Sequence, residues 1–171
     1  MFLETTGEAD AMEYQDLTID VQSREGGGFE ARIAEAPQRY NPRVKFPEPV
    51  DRNDLCLLHS AFGGPLHELT AQTALSPART REIGGQLFAA LFKEEVGEHF
   101  QRCRDAICHD GTQGLRLRLR FRTDDPESAY LAALPWEWLR ETRAGEYLAI
   151  DRCTPVVREI ATPRAWRAPL A

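Results

Sequence analysis

The sequence predicts an α+β fold: a mainly antiparallel β-sheet with an N-terminal hairpin and two helices, or one kinked helix, packed on one face. Three observations predict it. Two alternating runs flank the glycines Gly26, Gly27 and Gly28; a long amphipathic stripe follows Ser76-Pro77; and a strict Leu/Arg alternation runs from Leu115 to Arg122. Strands, then helices, then strands follow one another along the chain, the order of a sheet with its helices segregated to one side.

Each element has its own local reason. Leu17, Ile19 and Val21 alternate with Asp16, Thr18, Asp20 and Gln22, the period of a half-buried strand. The three glycines supply the positive φ of a turn. Phe29, Ala31 and Ile33 then alternate with Glu30, Arg32 and Ala34, which completes a hairpin. Val44 and Phe46 fit a short edge strand, because Pro47 and Pro49 bar a central one. Leu55 to Phe62 reads as a short helix stopped by Gly63-Gly64-Pro65, with irregular chain up to Ser76. Ser76 is placed to cap the main helix, with Pro77 in its first turn. The stripe Ile83, Leu87, Phe88, Leu91, Phe92, Val96, Phe100, Cys103 and Ile107 then keeps three- and four-residue spacing, with a break near Lys93-Glu94. From 115 to 122 no helix sorts the leucines from the arginines, whereas a strand does so at once. Thr123 to Ser128 reads as a turn. Tyr147–Ile150 and Pro155–Ile160 read as two strands of an antiparallel hairpin.

The 171 residues suit one domain, expected over 14–160, between an acidic leader (1–13) and a tail or linker (161–171). Apolar residues make up 42 %, enough for a real core. The longest apolar stretch, Tyr130 to Trp136, is far too short to cross a bilayer. Met1 to Asp10 lacks the basic-then-apolar pattern of a signal peptide, so a cytoplasmic location with reduced cysteines is expected, and no membrane association. The net charge is −6, and residues 1–30 hold eight acids against one base. Such a chain repels phosphate at long range and disfavours nucleic acid as a partner.

The residues offer little catalytic chemistry. Cys103, Cys108 and His109 match no zinc-ligand spacing, so no metal is expected. Adjacent Cys108 and His109 would point apart on a helix, and His59, His67 and His99 lack a catalytic context. Gly26-Gly27-Gly28 is no phosphate loop, since neither a Lys-Ser/Thr pair nor a helix follows it. No catalytic residue and no cofactor is assigned. Two features stand out instead. Arg116, Arg118, Arg120 and Arg122 line one strand face and need relief from mutual repulsion. Acidic neighbours (Asp16, Asp20 and Glu30 are available), an acidic protein partner, or a polyphosphate or nucleic acid would each supply it. Leu134, Pro135, Trp136, Glu137 and Trp138 form a compact motif whose indoles want hydrogen-bond acceptors and whose carboxylate, if buried, needs a partner.

The amphipathic run Ile83–Phe92, the Leu115–Leu119 alternation, Leu131-Ala-Ala-Leu-Pro-Trp-Glu-Trp-Leu139, Tyr147–Ile150 and Thr154-Pro-Val-Val-Arg158 together resemble the front, non-catalytic portion of CHAT domains. These are caspase-like cysteine peptidase domains often found beside tetratricopeptide repeats in bacteria. The likeness covers Ile83 to Ile160. In that family the catalytic His and Cys lie further on, and no position here matches their motifs. The resemblance therefore implies a non-catalytic interaction or regulatory module in bacterial conflict or regulated cell death. It would dock a caspase-like protease half or an adaptor through a sheet edge or the arginine face. The alternative is the N-terminal piece of a complete CHAT protease whose catalytic pair lies beyond residue 171.

Overall fold

The computed structural model describes residues 12–55, 76–142 and 145–161. Its strands are β1 (Glu13–Ser23), β2 (Phe29–Glu35), β3 (Arg43–Phe46), β4 (Gln113–Arg122) and β5 (Val156–Ala161). Its helices are α1 (Pro77–Leu91), α2 (Glu94–Ile107) and α3 (Pro126–Ala133). Short 3-10 turns span Trp136–Trp138 and Leu148–Ile150, and a helical turn covers 52–55.

The α+β class is as expected; the strand directions are not. The sheet order is β3-β2-β1-β4-β5. β1 pairs with β2, and β2 with β3, antiparallel, but β4 runs parallel to both β1 and β5. The sheet is therefore mixed, not mainly antiparallel. The predicted 147–160 hairpin is replaced by a crossover: the chain leaves β4, passes through α3 and the Trp136 turn, and returns as β5 alongside β4. Of the predicted strand Tyr147–Ile150 only Tyr147 makes a β-bridge, to Arg140, and 148–150 coil into a 3-10 turn.

The hairpin forms with Gly26, Gly27 and Gly28 all at positive φ, so side chains there would be strained. β3 is the short edge strand anticipated between prolines. Ser76 caps α1 by accepting from the Arg79 amide, and the helix pair breaks at Phe92-Lys93. The turn expected over Thr123–Ser128 gives way at Pro126 to α3, which runs on to Ala133. Asp125 caps it by accepting from the Ser128 amide, with Pro126 in the first turn, so the turn-forming pair Asp-Pro here starts a helix. The predicted leader, apart from its last two residues, the helix from 56 to 62, the chain from there to 75 and the tail from 162 lie outside the described residues.

One cluster forms the core. Leu17, Ile19, Val21, Phe29, Ala31 and Ile33 from the hairpin meet Leu115, Leu117, Leu119 and Phe121 of β4 and the stripe of α1 and α2. Each large side chain sealed in this way contributes about 1.5–3 kcal/mol. The sheet thus has one apolar face under the helices and one charged face, which no described helix covers.

Candidate functional site

The charged face is built by register. In the parallel β1–β4 ladder Asp16 lies beside Arg116 and Asp20 beside Arg120, while β5 places Glu159 beside Arg120. The side chains then interlock. Arg116 grips Asp16 with two hydrogen bonds, Nε to Oδ1 at 2.6 Å and Nη2 to Oδ2 at 3.0 Å. Arg118 reaches Asp16 at 3.2 Å and Glu159 at 2.7 Å. Arg120 and Arg32 share Asp20 at 2.6 and 3.0 Å, and Arg122 pairs with Asp124 at 2.7 Å. Below this lattice Thr18 is fully buried and donates to Glu35. The hydrogen bond from Arg116 holds the Asp16 carboxyl below its ordinary range against the opposing effect of burial. Burial pushes Asp20 up, but Arg120 and Arg32 together outweigh it and hold this carboxyl low as well. All four arginines of β4 therefore have an acidic neighbour within the fold. Of the three acids offered by the sequence, Asp16 and Asp20 reach the arginines, whereas Glu30 lies on β2 opposite Lys45; Glu159 and Asp124 were not foreseen.

The Trp-Glu-Trp motif sits on the other face, against β5. Val156, Arg158 and Ile160 are in register with Leu117, Leu119 and Phe121, so Arg158 enters from the apolar side. Its Nη1 donates to the Ala132 carbonyl at 2.8 Å, and its Nη2 pairs with Glu137. Trp136 is fully buried beside Phe121, and its Nε1 donates to the Leu131 carbonyl at 2.7 Å. Leu131 and Ala132 lie in the last turn of α3, whose carbonyls have no partner within the helix; the Leu131 carbonyl also accepts from the Leu134 amide just beyond it. The motif and Arg158 thus cap α3, and the guanidinium also complements the negative end of its dipole. Glu137 is exposed rather than buried, and its partner is Arg158. On the far side the motif lies on α1. Arg140 donates its amide to the Gly84 carbonyl, and a Cβ at Gly84 would run into the Trp138 carbonyl oxygen. Gly84, which weakens the helix by propensity, is what lets the motif approach it.

β5 ends the sheet. The Pro155 carbonyl accepts from the Leu117 amide. By the two-residue repeat of a parallel ladder, Val157 and Glu159 turn their backbone groups to β4, and Val156, Arg158 and Ile160 turn theirs outward. Among the described residues no strand pairs with that outer edge. Val157 and Ile160, 40 % and 41 % exposed, are two of the few large apolar side chains among the described residues that face solvent. Sequence reasoning missed this edge because it placed 155–160 in a hairpin with 147–150.

Among the described residues the structure brings one Cys–His pair together, though not the adjacent pair considered from sequence. Cys103 Sγ lies 3.6 Å from His99 Nε2, one helical turn apart in α2 and both buried. Burial raises the thiol and lowers the imidazole, so both rest neutral, the reverse of the thiolate–imidazolium state that a cysteine nucleophile needs. Among the described residues no group of three or more His, Cys, Asp or Glu side chains is arranged to hold a metal ion, and no helix is long and apolar enough to cross a membrane. Compared with family models, curated proteins and solved structures, the chain gives no match.

Proposed function

We propose that the chain is a non-catalytic docking module of a bacterial CHAT-type caspase-like protease system, and that it binds the protease half by strand addition at the outer edge of β5. The observation that carries this reading is the contrast between the two surfaces first considered. The arginines of β4 are already engaged by Asp16, Glu159, Asp20 and Asp124. The β5 edge offers outward backbone groups at Val156, Arg158 and Ile160 beside exposed apolar side chains. An added strand gains main-chain hydrogen bonds there, and alternate pockets read its side chains. The Glu137–Arg158 link supports the resemblance too, because it joins two of the motifs that define it.

The test is affinity capture from the source cell with the wild-type chain, Arg118→Glu and Ile160→Pro, each partner being identified by mass spectrometry. Proline at 160 removes an outward N–H without touching the β4 ladder. Recovery of a caspase-like polypeptide by wild type and Arg118→Glu, falling at least ~10-fold with Ile160→Pro, is the expected outcome, since a lost main-chain bond and a blocked edge together exceed about 1.4 kcal/mol. Equal recovery by Ile160→Pro removes the β5 edge as the interface, and loss with Arg118→Glu alone moves the interface to the arginine face. Absence of any caspase-like polypeptide removes the reading.

A further inference from the structure

A polar cleft on the side of the molecule away from the arginine face is lined by Arg104, Cys108, Glu141, Asp151 and Cys153. Its floor is fixed. Arg104 bonds Glu141 at 2.8 Å and Asp151 at 3.3 Å. Asp151 in turn accepts from the Cys153 amide at 2.8 Å and the Thr154 hydroxyl at 2.6 Å, and the Cys153 carbonyl accepts from Leu115 of β4 at 2.7 Å. The segment leading into β5 is therefore held in one place beside the C-terminal end of α2, where Cys108 sits. The Cys108 thiol donates to the Cys153 carbonyl oxygen at 3.5 Å. Both cysteines are free and only partly buried, whereas Cys103 is sealed in the core.

We propose that Cys108 and Cys153 form a reversible disulfide when the protein meets hydrogen peroxide, making this cleft a redox modification site. Cys108 is held as a thiol, since burial pushes it up and its proton is engaged by a carbonyl, so Cys153 reacts first. The Cys153 sulfur, after losing its proton, attacks one peroxide oxygen. The O–O bond breaks, one water forms, and a sulfenic acid remains on Cys153. The Cys108 sulfur then attacks the Cys153 sulfur, the S–O bond breaks, and a second water leaves with the Cys108 proton. Two thiols are oxidised and one peroxide is reduced to two waters. The new bond ties the end of α2 to the start of β5. It constrains the unfolded chain across that loop without rearranging the sheet.

Trypsin places the four cysteines on four different peptides, with Cys108 on Asp105–Arg116 and Cys153 on Cys153–Arg158. The full chain is treated with stoichiometric peroxide, alkylated, digested and mass-mapped. The expected product is the cross-linked pair of these two peptides, lost on adding dithiothreitol, and a melting temperature raised by roughly 5–10 °C in the oxidised protein. Cross-links to Cys56 or Cys103, a disulfide between two chains, or sulfinic acid without a cross-link would each overturn the proposal. Mapping uses the wild-type chain, so no variant has to fold. It is also indifferent to whether β5 docks a protease.

Discussion

The two edges of the sheet are treated in opposite ways. β3 is four residues long, flanked by Pro42 and Pro47, and it turns exposed Arg43 and Lys45 to solvent. Proline, brevity and charge are the usual means by which a sheet edge is kept from pairing with other chains. β5 has no proline within Val156–Ala161, and its two charges are engaged inside the fold, Arg158 by Glu137 and Glu159 by Arg118. It is longer and exposes Val157 and Ile160. A sheet that blunts one edge and leaves the other apolar is asymmetric in what it can recruit, and the contrast supports the proposal that β5 is the docking edge without reference to any relative.

The sharpest way to break the comparison is to separate the two sides of β5 itself. Glu159→Pro removes a backbone donor to β4 together with the Arg118 ion pair and should cost about 3 kcal/mol, whereas Ile160→Pro should leave the urea midpoint nearly unchanged. Equal losses from both would mean that the edge is covered. Arg158→Ala should come next, at roughly 1–3 kcal/mol, because it uncaps α3 and leaves the Ala132 carbonyl without its donor. Arg158→Lys should recover only part, since an ammonium lacks the planar fork that reaches both Ala132 and Glu137. Arg118→Glu places a third acid between Asp16 and Glu159, yet these groups are about one-third exposed, so the loss should be near 1 kcal/mol in chemical denaturation and should shrink in high salt.

The smallest effect belongs to the β3 side. His99 of α2 packs against Tyr40 just ahead of β3, and burial, helped by Arg102, holds its imidazole below its ordinary pKa. The unfolded chain therefore binds this proton more readily than the folded one. The contribution to stability is complete above about pH 6.5 and declines as pH falls below it. Urea midpoints measured from pH 8 to 5 should show the slope, and His99→Gln should flatten it. Asp16 and Asp20 add a separate loss only below about pH 4, because their carboxyls are held low by arginines.

Much of the fold was legible wherever one residue's neighbours along the chain determine its environment. The period-2 runs gave β1, β2 and β4, and the period-3.6 stripe gave α1 and α2 with the break between them. Strand direction was not legible, because alternation is the same for a parallel and an antiparallel partner. Asp125-Pro126 was ambiguous for a related reason: the same pair opens turns and helices, and only the burial of Tyr130 and Leu131 decides between them. For the site, the need of the arginines for acidic neighbours was predictable from charge alone. That Glu159 supplies one of them was not, since it depends on β5 lying parallel to β4. The exposure of Glu137 and its pairing with Arg158 were hidden for the same reason.

The cap that Arg158 places on α3 has a consequence for how events at the edge would be sensed. The same guanidinium belongs to the outermost strand and holds the helix end onto which the Trp136 indole donates. A strand docked at β5 as proposed would pull on one end of a short lever whose other end carries a chromophore sealed in the core. The fluorescence of Trp136 would therefore report occupancy at the outer edge of the sheet from inside the core.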